Sequence, residues 1–151
     1  MINFKKGYSL LEIIVVLGII GILLAIVLPS FRTIRSNQAV KSAASDVFSA
    51  IDKARSQSLA SIDSSEYGVH FETSRIVIFK GTSFSDGNAN NQEINIISPV
   101  TISDISLSGG GDDVYFDRLS GAPSSTGTIT LSTASVTKII TISATGTASM
   151  N

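Results

Sequence analysis

The chain has 151 residues, 11 basic against 12 acidic side chains, one histidine and no cysteine. That length holds one globular domain beside a membrane anchor. The absence of cysteine excludes a disulfide framework and thiol chemistry, and the near balance of charge gives no general pull toward nucleic acid.

Apolar residues make up 43% of the chain and crowd into its first 30 positions. The opening reads Lys5-Lys6-Gly7-Tyr8-Ser9-Leu10-Leu11-Glu12, and sixteen residues without a polar side chain follow, Ile13 to Leu28. Counted from Tyr8 the segment is 21 residues, roughly 31 Å as a helix, which matches a hydrocarbon core of about 30 Å. Lys5 and Lys6 on its flank put that end in the cytoplasm by the positive-inside rule, with the rest of the chain across the membrane. Glu12 is the outlier. A carboxylate in a membrane helix costs on the order of 2.5–3.5 kcal/mol and is normally kept for a partner or a function. A secretory signal should end in a small-residue site, which Ala25-Ile26-Val27-Leu28-Pro29-Ser30-Phe31 fits poorly. A plain anchor accounts for the length and the lysines but leaves Glu12 unexplained.

Charge, glycine, aromatic residue, glutamate spacing and Pro29 together closely resemble the type IV prepilin N-terminus. The resemblance implies a leader of residues 1–7, cleaved after Gly7 by prepilin peptidase, which also methylates the new amine of Tyr8. It implies further that Glu12 helps set the register between neighbouring subunits in a filament. The chemistry supports this, since the amine of Tyr8 would lie one helical turn before Glu12, and intramembrane charges are usually paired. Tyr8 stands where the family usually has Phe; the ring is kept, so processing is expected to survive. Without Lys5 and Lys6 the count is 9 basic against 12 acidic, a net of −3. Pro29 removes one backbone hydrogen bond and is expected to kink the helix rather than end it, with neighbouring helices compensating.

Beyond Pro29, Val40, Ala44, Val47, Ile51 and Ala54 recur at helical spacing, while Lys41, Asp46, Asp52, Lys53 and Arg55 lie mainly on other faces. This predicts an amphipathic helix over 29–61. Joined to the apolar part it would run from Tyr8 to Ser61, roughly 80 Å. No globular domain of this size needs such a helix; its first half belongs to lipid or a filament core.

After Asp63-Ser64-Ser65 the period changes to two. Tyr67, Val69 and Phe71 alternate with Gly68, His70 and Glu72, and Arg75 to Lys80 follows a short turn, so 67–80 reads as a hairpin. Residues 81–93 are polar and Asn-rich, a loop. Strand-like runs follow at 93–97, 100–107, 113–116, 127–131 and 137–143, and the apolar phase slips near Ser103-Asp104, which predicts a bulge. The fold class is therefore α+β: a long N-terminal helix packed on an antiparallel β-sheet domain over 62–151. This part resembles the GspH/FimT-like minor pseudopilins through Ala54-Arg55, the first hairpin, Tyr115-Phe116-Asp117-Arg118 leading to Gly121, and a last strand ending at Gly146. Thr147 stands where that group usually has a basic residue.

No catalytic residues, cofactor or metal site are expected. With one histidine and no cysteine, nucleophile–base arrangements and zinc sites lack parts. His70 reads as a solvated or rim histidine. Gly109-Gly110-Gly111-Asp112-Asp113, with Asp117 nearby, lacks the ordered spacing of a calcium loop. From Thr82 onward only Arg118 and Lys138 are basic, against six acidic residues, which disfavours DNA as a partner. The expected protein is a non-enzymatic filament subunit of the inner membrane. Its partners would be prepilin peptidase, other pilin or pseudopilin subunits and an inner-membrane assembly platform. A minor pseudopilin of type II secretion leads this reading. A minor or major pilin of a surface pilus, and a membrane-tethered binding module, remain as alternatives.

Overall fold

The computed structural model describes the backbone of residues 8–151 and the side chains of all of these but 28–32. The chain divides into two compact units, one ending at Arg35 and the other Ser36–Asn151. One helix, α1 (Leu10–Leu59, 50 residues), enters both, and its backbone stays helical through Pro29.

In the first unit α1 begins after Ser9, whose carbonyl accepts the Ile13 amide at 3.2 Å. Serine is a preferred residue just before a helix, so Tyr8 is left outside, and the helix starts two residues later than the apolar run suggests. Ser9 and Glu12 have the spacing of a capping box, and Glu12 sits in the first turn, where the helix dipole favours negative charge. Lys5, Lys6 and Gly7 lie outside the described residues.

In the second unit α1 turns one stripe inward: Val40, Ala43, Ala44, Val47, Ala50, Ile51 and Ala54 are buried. Four of the seven are alanine, which lets the helix axis lie close to what it covers. The helix ends at Leu59, two residues short of the expected end, because Ser61 adopts the left-handed conformation at φ 50°. A 3₁₀ turn, Ile62–Ser64, follows.

Eight strands make two antiparallel sheets. The first contains β1 (Tyr67–Phe71), β2 (Arg75–Lys80), β3 (Gln92–Asn95) and β5 (Asp113–Phe116), in the order β3-β2-β1-β5. The second contains β4 (Thr101–Leu107), β6 (Gly127–Ser132), β7 (Thr137–Ile142) and β8 (Ala148–Met150), in the order β4-β6-β7-β8. The expected hairpin is present, with Tyr67 opposite Lys80. The expected bulge appears as a register shift between Ile102 and Asp104. β8 was not expected; three residues are too few to display an alternation.

Both sheets and the α1 stripe feed one core. Val69, Phe71, Ile76, Val114 and Phe116 come from the first sheet, and Ile129, Leu131, Ile140 and Ile142 from the second. The architecture is α+β, a long helix with two antiparallel sheets, as the sequence predicts. Val77 and Phe79 alternate to the opposite face of β2 and are buried as well. Phe79 is covered by the loop after β2, which returns Phe84 edge-on to it with ring centroids 5.9 Å apart. Gly68 makes room on that face: a Cβ there would strike the Phe79 ring and stand 2.7 Å from the Val114 carbonyl oxygen.

Candidate processing and assembly segment

The apolar stretch Leu10–Val27 is 18 residues long and 0% buried. Nothing in its own unit covers it, so its surface belongs to lipid or to other helices. Tyr8 is 80% exposed and precedes the helix. Four residues on, Glu12 shares an open recess with Tyr8, Ile13, Val16 and Leu17. It is the one carboxylate among three aliphatic side chains and an aromatic ring. Among the described residues, no cation lies within ion-pair distance of Glu12. The arrangement presents a negative charge and an apolar surface outward on the same turn, which is geometry for recognition rather than for bond-making.

The other sequence cues fall in the second unit. Arg55, near the end of α1, donates to the carbonyls of Gly121 at 3.3 Å and Thr145 at 3.1 Å. The Leu119 amide bonds the Ser58 carbonyl at 3.0 Å. Gly121 and Gly146 both have positive φ, and a Cβ on Gly146 would stand 2.9 Å from the Arg55 Nε. Three residues scattered through the sequence, Arg55, Gly121 and Gly146, thus form one joint between the helix end and two turns. Their spacing in the chain gives no hint of the carbonyl contacts.

Of the two expectations for His70, solvated or at a rim, the structure bears out the rim. Its side chain is 16% exposed and stacks beneath Phe84, centroids 3.9 Å apart and planes within 7°. Its Nδ1 meets Asp113 and its Nε2 lies 3.4 Å from Glu72. The cover comes from a loop whose polar composition hides its one aromatic anchor. Glu72 in turn receives two hydrogen bonds from Arg75, each 2.8 Å, and these hold its carboxyl below the ordinary value. The same contact raises the Arg75 guanidinium. Asp63 is likewise held low, by the hydrogen bond and charge of Lys80. Burial pushes the Tyr67 phenol up, with the Asp63 charge adding to it.

Asp113 is therefore engaged by His70, and among the described residues no three acidic or histidine side chains gather as a metal set. Lys53, Arg55, Arg75, Lys80 and Arg118 are each bonded to a nearby side chain or carbonyl.

Residues 2–28 match the prokaryotic N-terminal methylation motif. No curated protein and no solved structure matches the chain. The motif covers the exposed apolar helix, Tyr8 and Glu12, and it implies processing by prepilin peptidase and assembly with other pilin subunits. At its N-terminus the chain is type IV prepilin-like, as fits a membrane-anchored, pilin-like filament subunit.

Proposed function

We propose that this chain is a minor pseudopilin of a type II secretion machine. Prepilin peptidase cuts between Gly7 and Tyr8 and methylates the Tyr8 amine. The mature chain sits in the inner membrane with its globular unit outside the cytoplasm. It joins a short filament through the helix from Tyr8 to Leu28, with Pro29 as the place where that helix bends. The single observation that carries this reading is that the methylation motif falls on a fully exposed apolar helix bearing one carboxylate. In lipid, Glu12 finds its partner in the amine of a neighbouring Tyr8, because two opposite charges in hydrocarbon are far less costly together than apart. The narrower pseudopilin assignment is supported by the resemblance of the second unit and by the meeting of Arg55, Gly121 and Gly146. The work done is mechanical: a cytoplasmic ATPase drives assembly through the membrane platform, and the growing filament helps export folded substrates.

The test is mass spectrometry of the N-terminal peptide from sheared surface material and from membranes, in cells carrying the native chain or Glu12→Ala. A methylated Tyr8 terminus confined to membranes, with Glu12→Ala inserted but not incorporated, is the expected result. The same terminus abundant in the sheared fraction would make the chain a surface-pilus subunit instead. An intact leader throughout, with Glu12→Ala behaving as the native chain, would leave a membrane-tethered binding module.

A further inference from the structure

The second unit carries an apolar projection at one end and an apolar groove at the other. The projection is Leu119 with Ile62. Leu119 is 67% exposed and Ile62 42% exposed, and Leu119 lies in backbone that ordinarily avoids such a side chain. Leu119 itself has φ 68°, and Ile62 stands between Ser61 and Asp63, both at φ 50°. A bulky residue in the left-handed region is uncommon and persists only when its surroundings hold it there. Here they do. The Leu119 amide is bonded to the Ser58 carbonyl, and Arg118 donates to the Ser64 carbonyl at 3.1 Å. The chain thus spends conformational strain to hold an aliphatic side chain out into water.

The groove lies between α1 and the loop after β3. It measures about 210 Å³ and is lined by Ala39, Ser42, Ala43 and Asp46 of the helix, with Ile97 and Ser98 opposite. Ile97 forms its outer wall and is 79% exposed. The small side chains on the helix floor leave room for one branched aliphatic group. From Ala43 to Leu59 the helix rises roughly 24 Å, so the projection cannot reach the groove of its own chain.

We infer that Leu119, with Ile62, of one copy seats in the Ala43–Ile97 groove of a second copy, stacking the globular units head to tail. Charge agrees with this pairing: Asp46 borders the groove, and Arg118 precedes Leu119 on the projection. A patch that fits a different patch on the same molecule makes a heterologous contact, which propagates instead of closing into a dimer. The inference rests on the filament reading, with copies of this chain adjacent in the filament, and adds to it a contact between globular units, separate from the apolar helices.

The chain has no cysteine, so disulfide trapping reads directly on the full-length protein in its own cells. A double variant, Leu119→Cys with Ile97→Cys, should give an oxidant-dependent ladder of multimers. Each single variant should give none, while co-expressing the two should give a dimer. On the double-cysteine background, Asp46→Arg should weaken the ladder by setting like charges across the contact, and Asp46→Asn should weaken it less; Asp46 is exposed, so the fold is spared. Dimers from Leu119→Cys alone would overturn the inference, because they mean a symmetric contact. So would absence of a ladder in cells where Tyr8-processed chain is incorporated in a Glu12-dependent way; that result would leave the filament reading standing. Failure of incorporation itself would remove the filament reading and this contact with it.

Discussion

From Leu10 to Val27 the helix is almost wholly aliphatic and buries nothing. From Val40 to Ala54 it is far less apolar and buries seven side chains completely or nearly so. In a water-soluble molecule the richer segment would be the one inside. The inversion shows that hydrophobicity alone does not decide which part of a helix enters a protein core. Periodicity and side-chain size decide it. The second segment confines its apolar residues to one stripe and fills that stripe with alanine and valine, so a sheet can approach. The first has large side chains on every face, suited to a medium that surrounds it.

The comparison is broken most severely from the core side. Phe116→Ala removes a fully buried ring and should cost about 3–5 kcal/mol. Thermal denaturation would record that loss, while fractionation would find the chain still in the membrane. The converse variant is Ile20→Lys, in the middle of the apolar stretch. A lysine at that depth costs about 3 kcal/mol of insertion, so more chain should appear in the soluble fraction, with its denaturation midpoint unchanged. If either variant moved both readings, the two segments would not be independent.

A smaller effect tests the joint at the helix end. Arg55→Ala gives up two hydrogen bonds from a charged donor and should cost about 1.5–3 kcal/mol. Gly146→Ala puts a Cβ against the Arg55 side chain at φ +77° and should cost about 1–2 kcal/mol. Because both act on one contact, the double variant should lose less than the sum. Full additivity in denaturant titrations would mean that the two residues act separately.

The smallest effect is on pH. Asp63 and Glu72 both have carboxyls held below their ordinary values, by Lys80 and Arg75 respectively. A depressed folded value means the stabilisation is present above the unfolded value near 4 and is lost as pH falls through the lowered one. The denaturation midpoint should therefore sag at acid pH, and Asp63→Asn with Glu72→Gln should flatten the sag by lowering the neutral-pH midpoint slightly toward the acid one, which it leaves nearly unaffected. An unchanged acid limb would show that these pairs do not matter to the folded state.

Much of this was legible in the sequence because one-sided burial leaves a period. The α1 stripe, the β1–β2 hairpin and β5 all show their alternation, and the Ile102 to Ile105 slip marks the bulge in β4. The processing segment is legible for a different reason, since a glutamate inside an apolar run is conspicuous. What stayed hidden depends on distant parts of the chain. Phe84 looks like loop until Phe79 and His70 are seen waiting beneath it. Arg55 looks like a solvated helix residue until two turns, 66 and 90 residues on, offer their carbonyls. The helix ends were shifted by single serines, one before the first turn and one in a left-handed conformation after the last.

The Arg55 joint also governs how the molecule would bear a pull. Tension drawn along α1 enters the second unit through the whole buried stripe from Val40 to Ala54, and at its far end the arginine fork ties the helix to two separate turns. These contacts would be sheared together and not peeled one by one. Stretching the chain between its membrane helix and β8 should therefore give one abrupt rupture, whereas Arg55→Ala should yield at lower force and in steps.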